Sequence, residues 1–266
     1  MGGGKARFPA AVLHLMLFSA AFLAGAVNSI AGGGTLLTFP ALLSAGLPAV
    51  TANGTSTVAL VPGSLSAFWG YRREVRGEGR LLLAMALPSL IGGTLGALAA
   101  HRVGDAAFAK LAPLLVLGAT ALFTAQEPLR RWSRSEGAGH RRGRAQLAAI
   151  AGFQLLVALY GGFFGAGIGI LMLAALGVLG LTDIHRMNGL KNLAAVCING
   201  LAAITFAAAG RVEWALAGLM MVGGVVGGYS GAGLAQRLGQ QTVRRLVIAI
   251  GFAISAYLFV RLLLTS

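Results

Sequence analysis

The sequence predicts an all-α, polytopic membrane protein built from two homologous repeats, and three observations predict it. Of 266 residues, 57% are apolar and only 11% charged, less than half the roughly one quarter usual in soluble domains. The mean hydropathy is +0.81. Apolar runs close to the ~20 residues that cross a bilayer recur along the chain. The chain also aligns with itself, without gaps, at a shift of about 135 residues.

The expected spans, in order, are 10–30, 55–71, 81–100, 106–125, 145–164, 193–209, 214–235 and 243–264. Two shorter apolar runs, 35–47 and 168–181, each follow a glycine cluster and are too short for an ordinary span. They read as half-helices or shortened helices. The first run follows Lys5 and Arg7 and contains Ala24-Gly25-Ala26, as a signal peptide would. Because it has a counterpart in the second half, it is expected to be retained.

The repeat places Ala31-Gly32 and Gly34 on Ala166-Gly167 and Gly169, and Asn53-Gly54 on Asn188-Gly189. Arg76 and Glu78 fall on Arg211 and Glu213, and Gly92-Gly93-x-x-Gly96 falls on Gly227-Gly228-x-x-Gly231. Membrane repeats are therefore expected at 1–125 and 145–266, joined by a basic cytoplasmic linker at 126–144. The Gly-x-x-x-Gly pairs read as helix-contact faces, which also permit a homodimer.

Charge orients the halves. Lys and Arg number 21 against 7 Asp and Glu, a net +14. In a soluble chain that excess suggests nucleic acid. Here the arginines avoid the spans and gather between them, at Arg72, Arg73, Arg76 and Arg80 and again at 130–144, as cytoplasmic loops do. No nucleic-acid partner is expected; the partners are the lipid bilayer and a small solute. Arg237, Arg244 and Arg245 outweigh Arg211, which Glu213 offsets. Loop 236–245 then lies inside, which inverts the second half relative to the first, against a mild opposing pull from Lys5 and Arg7. Inversion requires an odd number of crossings per half, about five, with the glycine-led short segments completing crossings.

Paired membrane repeats point to a secondary transporter with its site where the repeats meet. The first candidate stretch is Asn28 to Thr35, with Gly32, Gly33 and Gly34 in succession. Three glycines are unfavourable in mid-helix, and a break at membrane depth is tolerated only against protein or a wet cavity. A half-helix starting at Gly34 or Thr35 would aim free amides at an anion. Gly161 to Gly169, including Gly167 and Gly169, is the counterpart. The competing reading of both is close helix packing through glycine. Asn53-Gly54-Thr55-Ser56-Thr57 and Asn188-Gly189-Leu190-Lys191-Asn192 occupy equivalent repeat positions, each opening a spanning helix, and offer Asn53, Thr55, Ser56, Asn188, Lys191 and Asn192 as candidates. A helix start opposes an ammonium, so a bound anion would compensate Lys191; the alternative is a lysine reaching for headgroups.

The only cysteine, Cys197, excludes an intrachain disulfide. No nucleophile–His–acid set and no metal-ligand cluster stands out, and no carboxylate sits well inside a span. No enzyme activity, cofactor or metal is expected.

The stretch from Ala24 to Pro40, then Leu47-Pro48 to Ser56, resembles the opening of the TauE/SafE sulfite-exporter family. Tyr160 to Gly169, followed by Asn188-Gly189-x-Lys191-Asn192, is similar to that family's second repeat. The resemblance covers nearly the whole chain and implies a multi-pass permease of the bacterial inner membrane for sulfite, sulfonates or related organic acids. The expectation is a secondary transporter exporting such an anion; an anion channel on the same scaffold, or an uptake permease, is the alternative.

Overall fold

The computed structural model describes residues 9–30, 33–135, 144–178, 181, 183–238 and 240–265. Among these residues every regular element is helical: α1 (Ala10–Ile30), α2 (Thr35–Ser44), α3 (Ala49–Tyr71), α4 (Gly79–Ser135), α5 (Arg144–Phe163), α6 (Ile168–Val178), α7 (Ile184–Ala208), α8 (Trp214–Leu238) and α9 (Gln240–Thr265). Ala10–Asn28, Gly79–Leu122 and Ile184–Ala208 are long and apolar enough to cross a bilayer, and several shorter helices are apolar as well. The outer surface is apolar too, with Leu15, Leu83, Leu156, Ile204 and Leu263 all more than half exposed. That surface suits lipid and not water.

Both glycine clusters break their helices. Gly33 adopts φ +107, and Gly165 and Gly167 adopt φ +80 and +79, a region glycine enters without steric cost. The breaks do not let the short segments complete a crossing, as the charge pattern required. They fold them back. Gly34 lies against Ala24 and Asn28, and Ser44 at the end of α2 donates to Met16 Sδ near the start of α1, 3.8 Å away. In the second half, Gln154 of α5 reaches Met172 Sδ of α6 at 3.5 Å. Each half therefore opens with a helical hairpin whose tip is the glycine break.

The helices that follow are longer than the apolar runs. α3 starts at Ala49 behind Pro48. α7 starts at Ile184 because the Asp183 carboxylate accepts the His185 and Arg186 N–H groups, a side-chain cap on otherwise unpaired amides. The polar motifs thus sit in the second turn of each helix. α4 merges two expected spans, bent at Gly104 with φ +75 and ψ 167, and its second limb continues to Ser135 through the first part of the expected linker.

Packing is reciprocal between halves. α1 packs on α8, and α5 on the first limb of α4. Gly223 meets Phe18 and Gly227 meets Phe22, so α1 and α8 run parallel. Gly92 meets Ala158 and Gly96 meets Gly162 and Phe163 in the same sense. These glycine faces are thus occupied within the chain. α3 and α7 run antiparallel: Gly54 near the start of α3 meets Phe206 and Arg211, and Gly189 near the start of α7 meets Tyr71 and Val75.

The molecule therefore has two ends. One carries the basic loop 72–78 and the start of α7, joined by the Arg186–Glu78 ion pair. The other carries the starts of α1 and α3, the bend of α4 and the 209–213 loop. There Asp105 accepts from Arg211 Nη1 at 2.7 Å and from Val50 N–H at 2.9 Å. The two hairpins enter from these opposite ends and meet in the middle, where Phe39 of α2 and Phe164 of the second break pack edge to face with centroids 5.1 Å apart.

Candidate functional site

The hairpin tips border a cavity of about 590 Å³, walled by α1, α3, α7 and α8. It runs from the tips toward the basic end, where Tyr71, His185 and Tyr229 line its mouth; Tyr71 and His185 stack with ring centroids 6.2 Å apart. No residue of the opposite end lines it. That end is sealed by the Asp105–Arg211 pair and by Glu213 N–H donating to Thr55 Oγ1 at 2.9 Å.

Of the residues singled out from sequence, Asn28, Gly33, Thr35, Gly169, Asn188, Lys191 and Asn192 line the cavity. Gly34, Asn53, Thr55, Ser56 and Gly167 do not, and Gly32 lies outside the described residues. Several polar groups of the second set are engaged inside the fold, although Asn53 Oδ1 has no hydrogen-bond partner. Gly34 N–H donates to Asn28 Oδ1 at 2.8 Å, so this amide closes the turn and does not face the cavity. Asn53 Nδ2 donates to Phe163 O at 2.9 Å, tying α3 to the second hairpin. The Ser56 and Thr38 hydroxyls share a hydrogen bond of 2.6 Å. Thr55 holds the 209–213 loop. The first repeat's Asn-Gly-Thr-Ser motif thus clamps the halves together, whereas its counterpart on α7 faces the void.

Lys191 is the distinctive group. Its side chain is 2% exposed, and Nζ has no hydrogen-bond partner. Asn188 Oδ1, one turn earlier, also lacks one. Among the described residues no carboxylate lines the cavity: Asp183 caps α7, Asp105 pairs with Arg211, and Glu78 pairs with Arg186. A buried ammonium without a counter-ion costs several kcal/mol. A small anion offsets that cost. It would accept charge-assisted hydrogen bonds from Lys191 and ordinary ones from the Asn188 and Asn192 amides. Among the described residues, no group of three or more His, Cys, Asp or Glu is placed to hold a metal.

Ser64, Asn199 and Tyr71 also line the cavity and were not singled out from sequence as site residues; His185, at its mouth, reads from sequence as part of a solvated polar turn. The signal for Asn199 was present: Asn188, Asn192 and Asn199 are spaced at i, i+4 and i+11, one face of a helix.

Two hairpins that enter from opposite ends and meet beside a cavity holding one unpaired cation are the architecture of a membrane transporter. Comparison with known proteins agrees. The family described as "Sulfite exporter TauE/SafE" matches residues 17–258, and the chain belongs to this family. It is 29% identical over 251 residues to a "Probable membrane transporter protein" of Haemophilus influenzae, covering 92% of this chain and 93% of that one. It is 32% identical to "Probable membrane transporter protein ORF9" of a Sinorhizobium species, covering 91% of each. It is 31% identical to "Probable membrane transporter protein YfcA" of Escherichia coli K12, covering 91% of this chain and 88% of that one. These relatives are described as transporters, not enzymes. No solved structure matches significantly.

Proposed function

We propose that the protein is a secondary transporter that exports a small anion such as sulfite, a sulfonate or a related organosulfur acid across the bacterial inner membrane. The observation that carries this reading is the unpartnered Lys191 ammonium in a cavity that no carboxylate among the described residues lines. The family description supports the class of solute.

The two repeats, 1–125 and 145–266 with the basic linker 126–144 between them, stand inverted in the bilayer. Antiparallel α3 and α7, and hairpins entering from opposite ends, support inversion. Each half then makes three full crossings beside its hairpin, the odd number that inversion requires. The end carrying loop 72–78 faces the cytoplasm by its arginines, so the cavity opens inward and loads from the cell interior. Trp69 and Trp214, both more than half exposed at opposite ends, suit the two aromatic belts. Access alternates when one repeat rocks against the other, closing the mouth at Tyr71 and His185 and parting Asp105 from Arg211.

Proteoliposomes loaded with sulfite or methanesulfonate test this. Saturable uptake stimulated by counterflow, and lost in Lys191→Ala, is the expected result. Ohmic single-channel currents would make the protein a channel; wild-type flux in Lys191→Ala would remove the lysine from the site.

A further inference from the structure

The cavity is longer than one small anion. Lys191 and Asn199 lie on the same helix eight positions apart, which is about 12 Å along the axis. Asn199 is therefore deeper, away from the mouth and beside the hairpin tips. Its side-chain amide enters no hydrogen bond among the described residues, although it faces the cavity. The Thr35 hydroxyl, at the tip of the first hairpin, is likewise without a partner and on the cavity wall. Gly165, at the tip of the second hairpin, lies between them. A methyl group built on it would stand 3.8 Å from Asn199 Oδ1 and 3.8 Å from Thr35 Oγ1. Two polar side chains from different halves thus converge on a small space kept open by a residue with no side chain. The repeat counterpart of Asn199 is Ser64, which also lines the cavity.

Asn199 is half-buried and Thr35 buried, and both line the cavity, so a solute there exchanges hydrogen bonds with water for hydrogen bonds with these groups. The groups here are neutral: the Thr35 hydroxyl, and Asn199 Nδ2 once the amide turns to exchange it for Oδ1, donate to an oxyanion without holding it as a full positive charge would. Conduction through any such path needs sites weak enough to leave.

We propose that Asn199 and Thr35 form a second station for the anion, at the meeting point of the hairpins, which receives the solute from Lys191 before the opposite end opens. The proposal rests on the transport reading above and adds a position to it. Lys191 captures; the Asn199–Thr35 station passes on.

The test uses the full-length protein. Methanesulfonate binding is measured by calorimetry in detergent, and methanesulfonate flux is measured in proteoliposomes. Asn199→Ala is expected to bind within about twofold of wild type while its flux falls tenfold or more. Asn199→Ser, which installs the side chain of Ser64, is expected to recover flux to within about threefold. A merely structural role would instead lower binding and flux together, and serine would not rescue it. Wild-type flux in Asn199→Ala overturns the station, as does a parallel loss of binding in both variants. If wild-type protein carries neither methanesulfonate nor sulfite, the transport reading itself fails. If wild-type flux depends on Lys191 but not on Asn199, only the station fails.

Discussion

Replacing Lys191 with methionine should weaken anion binding and stabilise the empty protein at the same time. Methionine keeps most of the length and apolar bulk of the lysine stem but removes the ammonium. In the empty cavity that ammonium has no partner and is 2% exposed. A hydrogen bond to a charged group is worth about 1.5–3 kcal/mol. At 1.4 kcal/mol per factor of ten, its loss weakens binding roughly 10- to 150-fold. The opposite effect on stability follows because an uncompensated buried charge has been taken away. Even a gain of about 1 kcal/mol raises the unfolding midpoint by roughly 2–4 °C in a chain of this length. Calorimetric titration with methanesulfonate and thermal unfolding of purified protein read the two effects. Binding unchanged within twofold, or a variant less stable than wild type, would refute the reasoning, because each contradicts an ammonium left waiting for an anion.

Thr55→Val should separate fold from function in the other direction. It leaves the Glu213 N–H without its acceptor and should cost about 1–3 kcal/mol in thermal or chemical unfolding, with methanesulfonate affinity unchanged in the protein that remains folded. Asn28→Ala removes the acceptor of Gly34 N–H and should loosen the first hairpin tip by a similar amount, read as faster backbone hydrogen exchange around residues 33–36. Gly227→Ala places a methyl group against the Phe22 carbonyl. Overpacking of this kind costs about 1–3 kcal/mol and should appear as a lowered unfolding midpoint.

Much of the fold was legible in the sequence because membranes impose simple lengths. The 10–30 run became α1 at its expected limits, and the two glycine clusters broke the chain where they were expected to. The direction of the chain after each break was not legible. It depends on Asn28 reaching forward six residues to Gly34 and on Gly33 taking a positive φ, and neither registers in hydropathy. The site was half legible. Lys191 stood out as an ammonium near a helix start, but the equivalence of Asn53 to Asn188 does not extend to their surroundings. Repeat symmetry equates positions, not surroundings. Asn53 and Ser56 face protein, whereas their counterparts Asn188 and Lys191 line the cavity. Asn199 escaped notice because it belongs to no glycine motif, although its helical spacing from Asn188 and Asn192 placed it on the same wall.

The crossed packing of α1 on α8 and of α5 on α4 bears on how the chain is made. During synthesis α1 enters the bilayer when its mate does not yet exist, and it keeps that state until nearly the whole polypeptide has left the ribosome. Until then the face of α1 that meets the α8 glycines lacks its partner. Neither half can finish its own assembly, so severing the basic linker should yield two fragments that mature only when produced together.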